Sequence, residues 1–292
     1  MTIAQSQPRL SLRRRINTWW RVARRNPGIP AGGVLLLIVA ALALFAPWLG
    51  TVDPAAISPM DRLKGPSPEH WFGTDMLGRD VYSRVIYGAR VSLIVGIAVA
   101  VISGIIGTVI GIAAASSRLL DNVLMRCMDG LMAIPGVLLA IALMAVAGGS
   151  VQNVILAISV VEVPRIARTV RGTVLSLREQ PFIEAATVAG SSTPRTIWRH
   201  YLPGCIDPLL VQATYVCAVA MVLEAVLSFI GAGTPPTIPS WGNLMAEAKV
   251  IWQLRPDLVF VPAAFLSVTV LAVNLLGDGL RDALDPHLAG RG

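Results

Sequence analysis

The chain has 292 residues, of which 54% are hydrophobic and only 14% charged, against about 25% charged in a soluble globular protein. Twenty-four Lys and Arg against seventeen Asp and Glu give +7 at pH 7. That balance would suggest nucleic acid in a soluble protein, but here it accompanies long uncharged runs, so it bears first on membrane topology and no nucleic-acid partner is expected.

Residues 1–28 form an Arg-rich segment with Arg9, Arg13, Arg14, Arg15, Arg21, Arg24 and Arg25. Residues 29–49 follow as an apolar run. Cations before a first apolar segment keep that end in the cytoplasm. A signal peptide would have a shorter apolar region and a small-x-small cleavage site, and Pro47-Trp48-Leu49-Gly50 offers none. Residues 50–90 are polar enough to lie outside. Further spans are predicted at 91–115, 131–147, 151–163, 209–230 and 258–277, within a core of 91–285 closed by a cytoplasmic tail, 286–292. A run of about 20 apolar residues suffices to cross a bilayer as a helix. The expected fold is therefore all-α, with six transmembrane helices, a multi-pass protein with both termini on one side.

Charge placement tests this arrangement. With the N-terminus inside, the cytoplasmic segments hold 17 cations and the outer segments 7, a bias that favours N-in, C-in. Within the second predicted span, Gly107 and Gly111 form a Gly-x-x-x-Gly pair, suited to close helix packing rather than to chemistry. The outer segment pairs Asp75 with Arg79 and Asp80 with Arg84 at i,i+4 spacing. Val81, Tyr82, Val85, Ile86 and Ala89 share a side, so an amphipathic helix able to lie along the membrane surface is expected there, either simply solvated or receiving a binding protein.

Several chemistries lack their residues. Lys64 precedes Gly-Pro and Lys249 precedes Val-Ile, so neither completes a phosphate-binding Gly-rich loop. His70, His200 and His287 are scattered, no His-Glu-x-x-His occurs, and Cys127, Cys205 and Cys217 have no ligand spacing. No catalytic, cofactor or metal residues are assigned, and the cysteines are expected as three buried thiols. Any energy for transport then comes from an ion gradient or from another subunit.

Between the fourth and fifth spans lies a cytoplasmic loop, 173–207, far longer than the 2–8 residues that join neighbouring helices. It reads as two short helices. One has Pro181 near its start, runs through Glu184, Ala185 and Ala186, and stops at Gly190; the other has Thr193 as N-cap and Pro194 at its first position, and ends at Pro203-Gly204. Inside the spans, Glu162 and Glu224 are the candidates to line a pathway, and Glu162 has Arg165 one turn later to neutralise it. Glu224 has no evident partner in its own helix, which points it toward a pathway or another subunit.

Glu184-Ala185-Ala186, Gly190 and Leu202-Pro203 resemble the Glu-Ala-Ala loop of the membrane subunits of binding-protein-dependent ABC importers. His200 stands where that family has isoleucine. The segment from Phe72-Gly73-Thr74-Asp75 to Val91-Ser92-Leu93 resembles the one before the second span in C-type permeases of dipeptide, oligopeptide and nickel importers. Leu227-Ser228-Phe229-Ile230-Gly231, Pro239-Ser240-Trp241-Gly242-Asn243 and Asn274-Leu275-Leu276-Gly277-Asp278 are similar to the same group. The resemblance implies the type I permease fold in a bacterial inner membrane. It also implies a second, B-type permease, two ATPase subunits that bind the ATP, and an extracytoplasmic solute-binding protein. Through that machinery short peptides would be imported, with nickel, glutathione-like and opine-like solutes open as alternatives. A gradient-driven transporter is the competing class, but it would favour inverted repeats and paired intramembrane charges, and no repeat is evident.

Overall fold

The computed structural model describes residues 26–284, and among them the regular structure is helical with no strand. The helices are α1 (Gly28–Leu44), α2 (Val81–Ser116), α3 (Arg118–Met132), α4 (Gly136–Ala147), α5 (Val151–Arg178), α6 (Pro181–Val188), α7 (Thr193–Phe229), α8 (Trp241–Ala248) and α9 (Asp257–Leu284). Three of them, α2, α7 and α9, are long and apolar enough to cross a membrane, and the bent pair of α3 and α4 makes a fourth if it counts as one span. Helix α1 is apolar but has 17 residues. Helix α5 has 28 residues and carries Glu162, Arg165, Arg168, Arg171 and Arg178.

Several predicted boundaries move. The expected single span at 131–147 is instead a break: α3 ends at Met132, Pro135 precedes α4, and the two axes differ by 91°. A residue before proline disfavours helical backbone, so Ile134 is where the axis turns. The helix over the fourth predicted span does not end at Val163 but continues to Arg178, passing Pro164. The predicted surface helix is also absent. Residues 75–79 form a turn, and α2 begins at Val81, with the Asp80 carboxylate accepting from the Ser83 amide at 2.7 Å. This N-cap starts the span ten residues early, and Val81, Val85, Ile86 and Ala89 become core instead of membrane-surface contacts.

Helix α2 packs most extensively along α5, with α7 and α9 completing the bundle. Gly107 and Gly111 make the α2–α5 crossing: a Cβ on Gly107 would stand 2.7 Å from Ile166 Cβ, and one on Gly111 2.6 Å from the Ala167 carbonyl oxygen. Val95, Val99, Val154, Ile158, Ile166 and Val170 fill this contact. On the other flank, Gly32 of α1 faces the backbone of Ala272 and Leu276 in α9. Residues 45–80, α8 and the start of α9 gather at one end of the bundle, the cap end. The start of α1, the end of α9 and the α5–α6–α7 connection lie at the opposite, loop end.

Candidate coupling and transport sites

At the loop end, only residues 179–192 lie outside α5 and α7, and within the predicted loop α6 sits between the two helix ends. Pro181 sits in the first turn of α6, where its missing N–H costs nothing, and Glu184 is in that same turn. Gly190 ends the helix at φ +82°. The Ser191 amide donates to the Ala186 oxygen and the Gly190 amide to the Thr187 oxygen, both at 3.0 Å, the paired bonds of a Schellman stop.

Ile183 is buried and holds α6 to the bundle, while Glu184 and Ala185 are exposed and Ala186 is half-buried. His200 lies 5.9 Å from Phe182, ring to ring, so the residue that departs from the family pattern contacts the first turn of α6. Phe182, Val188 and Trp198 are exposed apolar side chains on this element.

The second helix departs from expectation at both ends. Its N-cap position is Ser192 rather than Thr193, without a side-chain bond. Pro203-Gly204 does not end it. The turn through Ile197–Tyr201 is widened to π geometry, with the Leu202 amide donating five residues back to the Ile197 oxygen. That widening makes room for the Pro203 ring, which would clash with a carbonyl four residues earlier in regular α-helix. The helix thus runs on to Phe229 as a single rod. Gly204 lies against Leu177 near the end of α5, and the Arg178 Nη1 donates to the Ala115 oxygen at 2.7 Å. These contacts link the end of α5 to α7 and to the end of α2.

At the cap end, Asp75, Arg79, Arg84 and Glu247 form one charge cluster. Asp75 takes Arg79 Nε at 2.7 Å and Arg84 Nη1 at 2.6 Å, and Glu247 takes Arg84 Nη1 at 2.5 Å and also Arg79 Nη2. Arg84 does not pair with Asp80, whose carboxylate is engaged by Ser83 and by His70 at 3.0 Å. The cluster borders a cavity of about 570 Å³ lined also by Ile57, Leu77, Pro236 and Leu244. In the segment before α2, the Lys64 ammonium, at 2.5 Å, and the Ser58 hydroxyl hold the Asp61 carboxyl below its ordinary value. Trp241, fully buried, donates from Nε1 to the Val85 oxygen at 3.0 Å and fixes α8 to α2.

Two acidic side chains are buried within the described helices. Glu162 is buried and pairs with Arg165 Nε at 3.2 Å, with Oε2 accepting no aligned hydrogen bond. Glu224 is 0% exposed and has a partner one turn along its own helix that the sequence reading did not assign, the Ser228 hydroxyl at 2.9 Å. Ser228 continues to Thr234 at 3.1 Å, and Asn243 Nδ2 donates to Thr234 Oγ1 at 2.9 Å. This polar knot ties α7 to residues 234–243. Of the three thiols, Cys205 is buried and Cys217 partly so, but Cys127 is exposed on α3, the polar arm of the bent pair. Sequence reasoning missed Glu247 and Arg165–Tyr215, because each has its decisive partner on another helix.

The model for binding-protein-dependent transport system inner membrane components matches residues 107–290, and that for the N-terminal transmembrane domain of oligopeptide transport permease C matches 16–66. The chain belongs to the binding-protein-dependent transport system inner-membrane family. This permease is 50% identical to a probable peptide ABC transporter permease of Sinorhizobium fredii over 98% of both chains. It is 41% identical to a dipeptide transport system permease of Alkalihalophilus pseudofirmus over 92% of this chain and 90% of that one. It is also 41% identical to a glutathione transport system permease of Escherichia coli, over 93% and 90%. Among solved structures, the inward-facing MetNI methionine ABC transporter superposes with TM-score 0.57 at 17% identity, covering 69% of this permease and 96% of that chain. The permease accordingly has the type I ABC importer fold, and its α6 hinge stands where the Glu-Ala-Ala resemblance falls.

Proposed function

We propose that this permease forms half of a translocation pathway for short peptides, paired with a second, B-type permease, driven by two ATPase subunits and loaded by an extracytoplasmic binding protein. Both termini lie in the cytoplasm, six spans cross the inner membrane, and the chain itself hydrolyses no ATP. The observation that carries this reading is the α6 hinge. An eight-residue helix with an exposed Glu184-Ala185 face, a Gly190 stop and a rigid continuation into α7 is shaped to sit in a partner's groove and to turn closure of that partner into rotation of spans. Glu184, Ala185, Ala186, Gly190, Leu202 and Pro203 are the residues of that contact. The relatives named for peptide, dipeptide and glutathione transport support a small peptide as cargo.

The test is uptake of a labelled dipeptide into proteoliposomes holding the complete complex. Uptake is expected to need internal ATP and to survive collapse of the proton gradient. Uptake that follows the gradient without ATP would overturn the reading.

A further inference from the structure

Arg165 lies midway along α5, a 28-residue helix about 42 Å long at 1.5 Å per residue. Its side chain is 45% exposed, and an uncompensated guanidinium facing lipid within a span costs about 2.5–3.5 kcal/mol at a helix centre even on the mildest scales. Long cationic side chains can escape this cost by reaching along the helix to the interface. Arg165 does not. Its Nε is held at 3.2 Å by buried Glu162 of the same helix, and its guanidinium carbon lies 5.0 Å from the ring centroid of Tyr215 on α7. A third restraint is Nη1 donating to the Tyr215 hydroxyl at 3.4 Å. The charged group is therefore held against Glu162 and Tyr215 and left half open.

Internal pairing accounts for Glu162 but not for the open side. Glu162 is buried beneath, so the face presented outward is cationic. Tyr215 is 43% exposed, and since its oxygen accepts from Nη1, its own O–H remains able to donate. Arg165 Nη2 hydrogen-bonds to none of the described residues. The next exposed cation on this face, Arg168, already has Asp129 at 2.8 Å. Two donors on neighbouring helices, Nη2 and the tyrosine O–H, thus lie side by side at the open face, with the buried Glu162 carboxylate on the far side of the guanidinium. That constellation matches a carboxylate, which takes charge-assisted bonds from a guanidinium fork and a hydroxyl together.

We propose that the face of α5 and α7 around Arg165 and Tyr215 lines the aqueous translocation pathway and transiently binds the terminal carboxylate of the passing peptide. For the nature of the cargo, the proposal rests on the peptide reading above. For the placement of the pathway, it rests only on the exposed, pinned guanidinium.

The test uses the complete transporter with its own binding protein in proteoliposomes, and compares a dipeptide bearing a free carboxylate with the same dipeptide amidated at its C-terminus. Because every variant shares one binding protein, a change in the acid-to-amide uptake ratio between wild type and variant belongs to the permease. Arg165→Gln is expected to lower that ratio about tenfold, the equivalent of one charge-assisted hydrogen bond. Arg165→Lys should restore part of it, and Tyr215→Phe, which keeps the ring under the guanidinium, should lower it several-fold. An unchanged ratio in Arg165→Gln and Tyr215→Phe would overturn the carboxylate site. A separate arm labels Tyr215→Cys, in a background lacking the three native cysteines, with a membrane-impermeant maleimide. Labelling that changes between the nucleotide-free and ATP-trapped complex is expected. Labelling only by a lipid-soluble reagent, or none in either state, would place this face against lipid or the second permease and overturn the pathway assignment. Failure of the peptide reading has its own signature: no uptake of either dipeptide by wild type, with the labelling arm still deciding the pathway.

Discussion

Arg84 at the start of α2 and Glu247 on α8 lie 163 residues apart and meet through two guanidinium nitrogens, Nη1 at 2.5 Å and Nη2 at 3.1 Å. With Asp75 on the near side of the same guanidinium, this contact joins the segment before α2 to the hairpin before α9. Removing one member of a buried ion pair leaves a desolvated charge behind, at a cost of about 3–5 kcal/mol. Glu247→Ala is expected near the lower end, because Asp75 still faces Arg84. The check is thermal unfolding of the detergent-purified complex. A melting temperature equal to wild type would show that the pair contributes nothing.

The knot around Glu224 makes a second prediction. Glu224→Gln keeps an oxygen for the Ser228 hydroxyl and should leave membrane abundance close to wild type. Glu224→Ala leaves Ser228 with a bond fewer and opens a cavity among buried polar groups, a cost of about 1–3 kcal/mol for each stranded group. Protease protection of residues 231–248 in membranes should fall for the alanine variant. Equal behaviour of the two would remove the knot from the account of how the hairpin is held.

Gly111 is set against the backbone of α5, where a Cβ would stand 2.6 Å from the Ala167 oxygen. Gly111→Leu should therefore separate α2 from α5 and abolish accumulation in the membrane, whereas Gly104→Leu should be tolerated, since no atom lies within 4 Å of the Cβ position there. Immunoblots of both variants decide it, and equal accumulation would mean the crossing is not the close contact described.

At the loop end, Gly190→Val and Ala186→Trp should leave the spans intact and uncouple transport. The first puts a β-branched residue at φ +82°, a strain of roughly 1–2 kcal/mol. Open space around Gly190 means that backbone conformation alone is at stake. The second adds bulk on the proposed docking face. Normal membrane abundance with reduced ATPase-subunit retention and reduced uptake is expected. Normal uptake by both would remove α6 from coupling.

Topology has a direct test. With both termini inside, a Ser67→Cys probe in a cysteine-free background should react with an impermeant reagent added from outside. Reaction only from the cytoplasmic side would reverse the orientation.

The sequence by itself determined that the chain is a helical membrane protein, because 54% hydrophobic residues in long uncharged runs leave few other ways to satisfy the backbone. It also marked Gly190 as a stop and Gly107 with Gly111 as a close crossing, since both are local properties: one needs a left-handed residue, the other the absence of side chains. What it misjudged were the ends of rods. Pro203 is a helix breaker in local terms, yet the π turn before it and the packing of Gly204 on Leu177 carry α7 through; Pro164 is likewise absorbed into α5. Asp80 and Arg84 have the spacing of a helical pair, but Asp80 caps α2 and Arg84 is drawn to Asp75 and Glu247. Only the tertiary structure could decide these partners, because a buried charge takes whatever opposite charge the fold brings within reach, and Glu247 and Tyr215 arrive from helices distant in sequence. For the same reason Glu224, which reads as having no partner in its own helix, is enclosed among the hydroxyls of Ser228 and Thr234, and the half-open charge midway along α5 is Arg165.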